Sequence, residues 1–157
     1  MSRCRIMNLA VIMPARDEEA HIRTSILSIP DEVQAIIVID DGSVDDTAST
    51  ARDVLEVRRG GCEYVTLVEG GGLGVGAAIL RGVDELLSLI TNPSDWAFIV
   101  MAGDGQMDPR DLPALIAPLD VFDHVKGNRF HHSSGLNNMP IVRRWACLLY
   151  TSPSPRD

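Results

Sequence analysis

Short apolar segments alternate with longer stretches of helical pattern, and this alternation constrains the fold more than any other feature. The apolar segments predict strands at 8–13, 35–39, 64–68, 96–101 and 121–125. The intervening stretches predict helices at 17–29, at 44–57, from residue 76 to about 90, and at 109–119. Strands that are apolar on both faces and separated by helices predict an α/β fold. Its sheet is mostly parallel and is covered by helices on both sides.

The unusual polar segments all follow predicted strands. They occupy residues 14–19, 40–43, 70–76, 104–108 and 126–129. The carboxyl ends of parallel strands lie at one edge of a sheet, and ligands of open α/β sheets bind beyond that edge. Five loops are therefore expected to converge on one rim, which predicts an active site there.

Composition disfavours several classes of partner. The chain has 157 residues, of which 45% are hydrophobic, enough for one domain with a sizeable core. Its formal net charge is -8, aromatic residues make up 4%, and no block of Lys or Arg occurs, so a nucleic-acid partner is not expected. No apolar run is long enough to cross a membrane. The cysteines form no CxxC pair, which fits a reducing compartment.

Two acidic motifs follow predicted strands. Asp40 and Asp41 can accept hydrogen bonds from a nucleotide base or ribose; the alternative is a solvated turn in which Ser43 caps the next helix. Asp104 and Gln106 offer the oxygen ligands that Mg²⁺ or Mn²⁺ prefers, and such ions often share their ligands with phosphates. The alternative for this second motif is a polar turn without metal.

The glycine loop has two functional interpretations. Residues 72–77 fit the G-x-G-x-x-A pattern of dinucleotide-binding folds, but no acidic residue ends a strand about 20 residues later, as that fold requires. The loop could instead allow backbone amides to approach a substrate, or form a flexible connection. Arg129 follows the last predicted strand, where its guanidinium could bind a diphosphate or simply face solvent. His21 and Cys62 are expected to be structural.

Five motifs in register carry a family resemblance. They read VIMPARDEE at 11–19, IDDGSVDDT at 39–47, GLGVGAAILRG at 72–82, MAGDGQMDP at 101–109 and VKGNRF at 125–130. Together they resemble family 2 glycosyltransferases with the GT-A fold, in particular the dolichyl- or polyprenyl-phosphate sugar transferases. The resemblance covers roughly residues 8–130 in the family's order and spacing.

The resemblance implies roles by position. A donor-nucleotide site would include Pro14, Ala15, Glu18, Asp40, Asp41, Gly74 and Gly76. Asp104 and Gln106 would hold Mg²⁺ or Mn²⁺, while Asp104 and Arg129 would act on the leaving diphosphate. Two positions depart from the pattern. Asp17 stands where asparagine is common, and Ala102 stands where the first aspartate of D-x-D is expected, which puts the strength of the metal site in question.

The implied function is transfer of a sugar from a nucleotide-diphosphate sugar to an acceptor, such as a polyprenyl or dolichyl phosphate, with inversion. Alternatives are a nucleotidyltransferase, a non-catalytic nucleotide-sugar binding module and, last, a dinucleotide oxidoreductase. The expected location is cytoplasmic, or the cytoplasmic face of a membrane.

Residues 147–157 resemble a translated sequencing adapter, so this tail is expected to be non-native. The catalytic domain would then occupy residues 1–146, with a C-terminal part missing. That missing part would be the only route to membrane association, and the fragment itself is expected to be inactive.

Overall fold

A computed structural model describes residues 7–127 of the chain. Its strands are β1 (Asn8–Ala15), β2 (Ala35–Asp40), β3 (Tyr64–Glu69) and β4 (Trp96–Val100). Its α-helices are α1 (Glu19–Leu27), α2 (Thr47–Arg58), α3 (Val75–Leu89) and α4 (Leu112–Ile116). Short 3-10 helices precede β4, precede α4 and follow α4. The predicted alternation of strands and helices is confirmed through β4.

The described sheet has four strands in the order β3-β2-β1-β4, and every pair is parallel. Ala10 of β1 pairs with Ala35 of β2 and with Phe98 of β4. The parallel α/β class expected from the apolar strands is therefore confirmed. All four strands end at the same edge, as the rim prediction requires.

Side chains of β1 and β2 alternate between two apolar layers because successive residues of a strand point to opposite faces. One layer packs against α1 and α2 and includes Val11, Met13, Ile36 and Val38. The other packs against α3 and includes Ala10, Ile12, Ala35, Ile37 and Ile39. Helices thus cover both faces of the sheet, and the core has its centre on β1 and β2.

The first strand continues past Pro14, where the sequence pattern predicted its end. Proline lacks the N–H that a ladder needs, and its nitrogen faces β4, which ends at Val100 opposite Ile12. Pairing with β2 on the other side is unaffected and continues through Ala15. The Pro14 carbonyl still accepts a hydrogen bond from Gly103 N, at 3.1 Å, which holds the loop after β4 against the end of β1.

The predicted fifth strand at 121–125 is wrong, because those residues form a turn and irregular chain. The apolar side chains of Val121 and Phe122 are exposed, so the segment lacks the burial that stabilises a strand. The chain divides into two compact units, one ending at Ala114 and one beginning at Leu115. The sheet and its rim belong to the first unit. The described part of the second contains the end of α4 and a 3-10 helix, Ala117–Asp120.

Candidate nucleotide-binding cleft

A cleft of about 240 Å³ opens at the carboxyl edge of the sheet. Loops that follow β1, β2, β3 and β4 all contribute to its wall. The lining residues are Pro14, Ala15, Arg16, Glu18, Asp41, Gly74, Val75, Ala102, Gly103 and Asp104. The convergence predicted from the sequence is thus present for four of the five polar segments. The fifth contains Arg129, which lies outside the described residues.

The loops after β1 and β2 are joined by reciprocal hydrogen bonds. Asp17 N donates to Ser43 Oγ at 2.9 Å, and Val44 N donates to Asp17 Oδ1 at 2.9 Å. Asp17 has a φ of 54°, a left-handed conformation that asparagine and aspartate tolerate better than other non-glycine residues. Asparagine and aspartate both have a side-chain oxygen that can accept the hydrogen bond from Val44 N. Aspartate therefore fits the position where asparagine is common. Because this conformation is not helical, α1 begins at Glu19 and not at residue 17, where the sequence predicted its start.

Two further bonds fix the start of α1 against the start of α2. Glu18 N donates to Thr47 Oγ1 at 2.7 Å, and Glu19 N donates to Asp45 Oδ2 at 3.1 Å. Glu18 is half-buried at the wall of the cleft. Partial burial, and next the negative charge of Asp104, raise the pKa of the Glu18 carboxyl above its ordinary value. An added positive charge between Glu18 and Asp104 would relieve this repulsion.

Asp40 is buried at the end of β2 and is used within its own turn. Ser43 Oγ donates to Asp40 Oδ1 in a short hydrogen bond, and Ser43 N lies 3.4 Å from both carboxylate oxygens. Asp40 does not line the cleft. The structure therefore gives it the role of organising the turn, and its prediction as a nucleotide ligand gains no support from this geometry.

Asp41 lines the cleft, but its carboxylate is directed at the glycine loop. Leu73 N donates to Oδ1 at 2.9 Å, and Gly74 N donates to Oδ2 at 2.7 Å. Each oxygen retains one lone pair for a ligand. Asp41 thus connects the end of β2 to the loop after β3.

The glycine loop uses its glycines for backbone geometry. Gly72 and Gly74 have φ values of 66° and 93°, which other residues adopt only with strain. Gly42, at a φ of 78°, approaches the same loop so closely that an added Cβ would lie 3.1 Å from Gly72 N. Gly74 lines the cleft, whereas Gly76 is exposed in the first turn of α3 and does not. The predicted role of Gly76 in nucleotide binding therefore has no geometric support.

The loop after β4 brings Asp104 to the cleft. Gly103 is buried so tightly that an added Cβ would lie 2.9 Å from Ile22 Cδ1, and its carbonyl accepts from Ser25 Oγ at 3.0 Å. Gln106 N donates to Asp104 Oδ1 at 3.0 Å. This anchoring fixes Asp104 at the wall, while the Gln106 side chain is exposed and is not part of the lining.

The oxygen ligands here fit a divalent cation only if water and substrate phosphate oxygens complete its coordination shell. Asp104 is the carboxylate of this loop at the cleft wall, and the Ala102 side chain has no ligand atom. Between residues 7 and 127, no group of three or more His, Cys, Asp or Glu side chains is arranged to hold a metal. Mg²⁺ commonly completes its shell with water and substrate phosphate oxygens. Asp104, with Gln106 nearby, fits that kind of site and does not form an all-protein cage.

A charged cleft residue, Arg16, was not anticipated from the sequence. Arg16 lines the cleft, and its Nη1 would lie 3.6 Å from a Cβ placed on Gly72. The signal was its position between Ala15 and Glu18, both of which were predicted to be site residues. His21 lies on α1 and is exposed, and a Cβ placed on Gly105 would lie 3.9 Å from its ring.

Comparisons with known proteins identify the family of this chain. The profile described as "Glycosyl transferase family 2" matches residues 10–156. An uncharacterised glycosyltransferase of Mycobacterium tuberculosis is 32% identical over 122 residues, covering 77% of this chain and 48% of that protein. An uncharacterised protein of Methanocaldococcus jannaschii is 28% identical over 137 residues, covering 85% of this chain and 51% of that protein. The chain thus spans about half the length of these relatives.

Solved structures agree with the sequence comparison. Glucosyl-3-phosphoglycerate synthase from Mycobacterium tuberculosis, in complex with Mg²⁺ and UDP, superimposes with a TM-score of 0.52 at 25% identity, covering 73% of this chain and 40% of that chain. The same enzyme with Mn²⁺, UDP-glucose and phosphoglyceric acid gives a TM-score of 0.51 at 25% identity over the same shares. Among the described helices, none is both long and apolar enough for a membrane span.

Proposed function

The chain belongs to glycosyl transferase family 2, and we propose that the full protein transfers a sugar from a nucleotide-diphosphate sugar to an acceptor. The observation that carries this proposal is the convergence of Glu18, Asp41, Gly74 and Asp104 on one cleft at the carboxyl edge of a parallel sheet. A divalent cation, Mg²⁺ or Mn²⁺, is the proposed cofactor, and both ions occur in the complexes of glucosyl-3-phosphoglycerate synthase.

In the proposed reaction, an acceptor oxygen forms a bond to the anomeric carbon while the bond from that carbon to the diphosphate oxygen breaks. The configuration inverts because the acceptor attacks from the opposite face. Asp104 and Gln106 would hold the cation, which when bound supplies charge neutralisation at the leaving diphosphate. Asp41 would keep the glycine loop in place beside the nucleotide. Arg129 is proposed to contact the phosphates.

The acceptor is proposed to be a phosphorylated molecule, with a polyprenyl or dolichyl phosphate as the first candidate. A phosphate acceptor needs little activation because it is already an anion, whereas a hydroxyl acceptor needs a general base. The phosphoglyceric acid complex of the synthase supports a second candidate, a small phosphorylated acid. Assays with both acceptor classes and a radiolabelled donor sugar would distinguish them by the solubility of the labelled product. Association with the cytoplasmic face of a membrane is proposed only for the lipid acceptor.

Nucleotide binding is the first test. The full chain is titrated with UDP, GDP, CDP and ADP, with and without Mn²⁺, while its melting temperature is recorded. A ligand that binds the native state stabilises it by mass action, and a concentration of 100 times Kd gives about 2.7 kcal/mol. Asp104→Ala should remove the metal-dependent part of the shift. The exposed Asp53→Ala on α2 is the matched control and should behave like the unmodified chain. No metal-dependent shift with any nucleotide would sink the proposal.

Two other functions make different predictions. A nucleotidyltransferase would release pyrophosphate, whereas the proposed transferase releases a nucleoside diphosphate, so analysis of the products separates them. A non-catalytic binding module is favoured by one observation, the alanine at position 102 of the metal loop. That module would bind nucleotide sugars and release no nucleoside diphosphate with any acceptor.

A further inference from the structure

Among residues 7–127, Arg16 is the basic side chain that lines the cleft, and the other charged lining residues are acidic. Glu18, Asp41 and Asp104 supply three carboxylates, and Arg16 supplies the positive charge. A nucleoside diphosphate is an anion, so binding beside carboxylates requires compensating positive charge. A cation at Asp104 would compensate part of that charge, and Arg129, the other proposed phosphate contact, lies outside the described residues.

Arg16 and Asp104 reach the cleft from loops that follow different strands. Arg16 follows β1, which lies between β2 and β4, whereas Asp104 follows β4. The Arg16 guanidinium extends the other way, toward the glycine loop that follows β3, where Nη1 is 3.6 Å from the position of a Gly72 Cβ. A ligand in the cleft would therefore meet Asp104 and Arg16 on different sides.

The guanidinium is also available for a ligand. Among the described residues its ion-pair partner is Asp17, with 3.9 Å between Arg16 Nε and Asp17 Oδ2, which is too long for a hydrogen bond. The Asp17 carboxylate already accepts from Val44 N. The Arg16 side chain is 55% exposed, so its donors face water that a ligand can replace.

We propose that Arg16 binds a phosphate group of the nucleoside diphosphate and thereby fixes the donor in the cleft. The inference rests on the proposed function, since it names the residue that recognises the anionic part of that donor. Arginine suits the task because its planar fork donates two parallel hydrogen bonds to phosphate oxygens. In a cleft with Ala102 in the metal loop, this contact supplies attraction for the diphosphate that does not depend on the metal.

The test compares ligands that differ only in phosphate number. UDP, UMP and uridine (or the guanosine series, if GDP binds more tightly) are titrated into the full chain by calorimetry with Mg²⁺. Arg16→Ala should weaken the diphosphate on the order of tenfold, because a hydrogen bond to a charged group is lost, and should leave the nucleoside unchanged. Arg16→Lys should restore part of the loss, since it keeps the charge without the fork. Arg23→Ala, an exposed change on α1 of equal charge, should match the unmodified chain.

Equal affinities of Arg16→Ala and the unmodified chain for the diphosphate would overturn the inference and leave the proposed function standing. An equal loss for nucleoside and diphosphate would also overturn it, because the residue would then contact the nucleoside. Failure of the unmodified chain to bind any nucleoside diphosphate would remove both. Urea unfolding of each variant shows whether the native state is intact, and midpoints equal to that of the unmodified chain are expected because Arg16 is exposed.

Discussion

The Asp41 carboxylate binds the backbone of Gly74 across 33 positions of sequence, with 2.7 Å between Oδ2 and the amide nitrogen. A second bond, from Leu73 N to Oδ1, makes the contact bidentate. The pair connects the loop after β2 to the loop after β3, and both line the same cleft. The acidic motif and the glycine loop therefore form one structural unit at the rim.

Asp41→Asn should loosen that unit. The amide leaves one N–H of the glycine loop facing an NH₂ group, so the native state should lose about 0.5–1.5 kcal/mol, the range for one lost hydrogen bond. Urea unfolding measures the loss, and hydrogen exchange at the amides of Leu73 and Gly74 shows where it occurs. Asp53→Asn on α2, an exposed carboxylate, is the control. Unchanged exchange at both amides would show that the carboxylate does not hold the loop.

The sequence predicted the strands well because each one is a short apolar run, and apolar burial decides where strands form. It could not predict that Asp41 bonds to the glycine loop, because its partner Leu73 lies 32 residues away and depends on how two loops pack. For the same reason it missed Arg16, whose importance arises from the neighbouring loop. The apolar run at 121–125 was predicted as a strand from pattern alone, and its side chains are largely exposed.

Two glycines of α3 should respond in opposite ways to alanine. Gly82 faces the sheet, and an added Cβ would lie 2.5 Å from Ile12 Cγ2 and 2.6 Å from Ile39 Cδ1. Gly82→Ala should therefore destabilise the protein by about 1–3 kcal/mol through overpacking. Gly76 has no neighbour within 4 Å of its Cβ position, so Gly76→Ala should be neutral or stabilise by up to about 1 kcal/mol. Equal urea midpoints for the two variants would contradict this account of α3.

Gly76→Ala also tests the predicted nucleotide role of that residue. Since Gly76 is exposed and does not line the cleft, we expect nucleotide affinity to remain that of the unmodified chain. Calorimetric titration with UDP measures it. A decrease of tenfold or more in UDP affinity would show that Gly76 contributes to nucleotide binding.

Asp108 should titrate far below an ordinary carboxyl. Its side chain accepts hydrogen bonds from the side chain and then the backbone of Arg110, and these lower the pKa of Asp108 to about 2. Because this pKa is lowered, the resulting stabilisation is present above the ordinary aspartate value of 3.8 and is lost as pH falls toward 2. Carboxyl-carbon NMR titration measures the midpoint. Arg110→Ala should move it upward toward the ordinary value, and an unchanged midpoint would show that Arg110 is not the cause.

Ala102→Asp should strengthen the metal site. Ala102 lines the cleft beside Asp104, so an aspartate there adds a second carboxylate to the same loop. Affinity for hard cations rises with the number of charged oxygen ligands, and Mn²⁺ should bind on the order of tenfold more tightly in the presence of UDP. Manganese electron paramagnetic resonance measures the free ion directly, and Ala102→Asn controls for side-chain size without the charge. The combined variant Ala102→Asp with Asp104→Ala should bind Mn²⁺ more weakly than Ala102→Asp alone, since this loop then has one carboxylate at the cleft again. If Ala102→Asp leaves Mn²⁺ affinity unchanged, position 102 does not reach the cation, and Asp104 and Gln106 remain the proposed protein ligands.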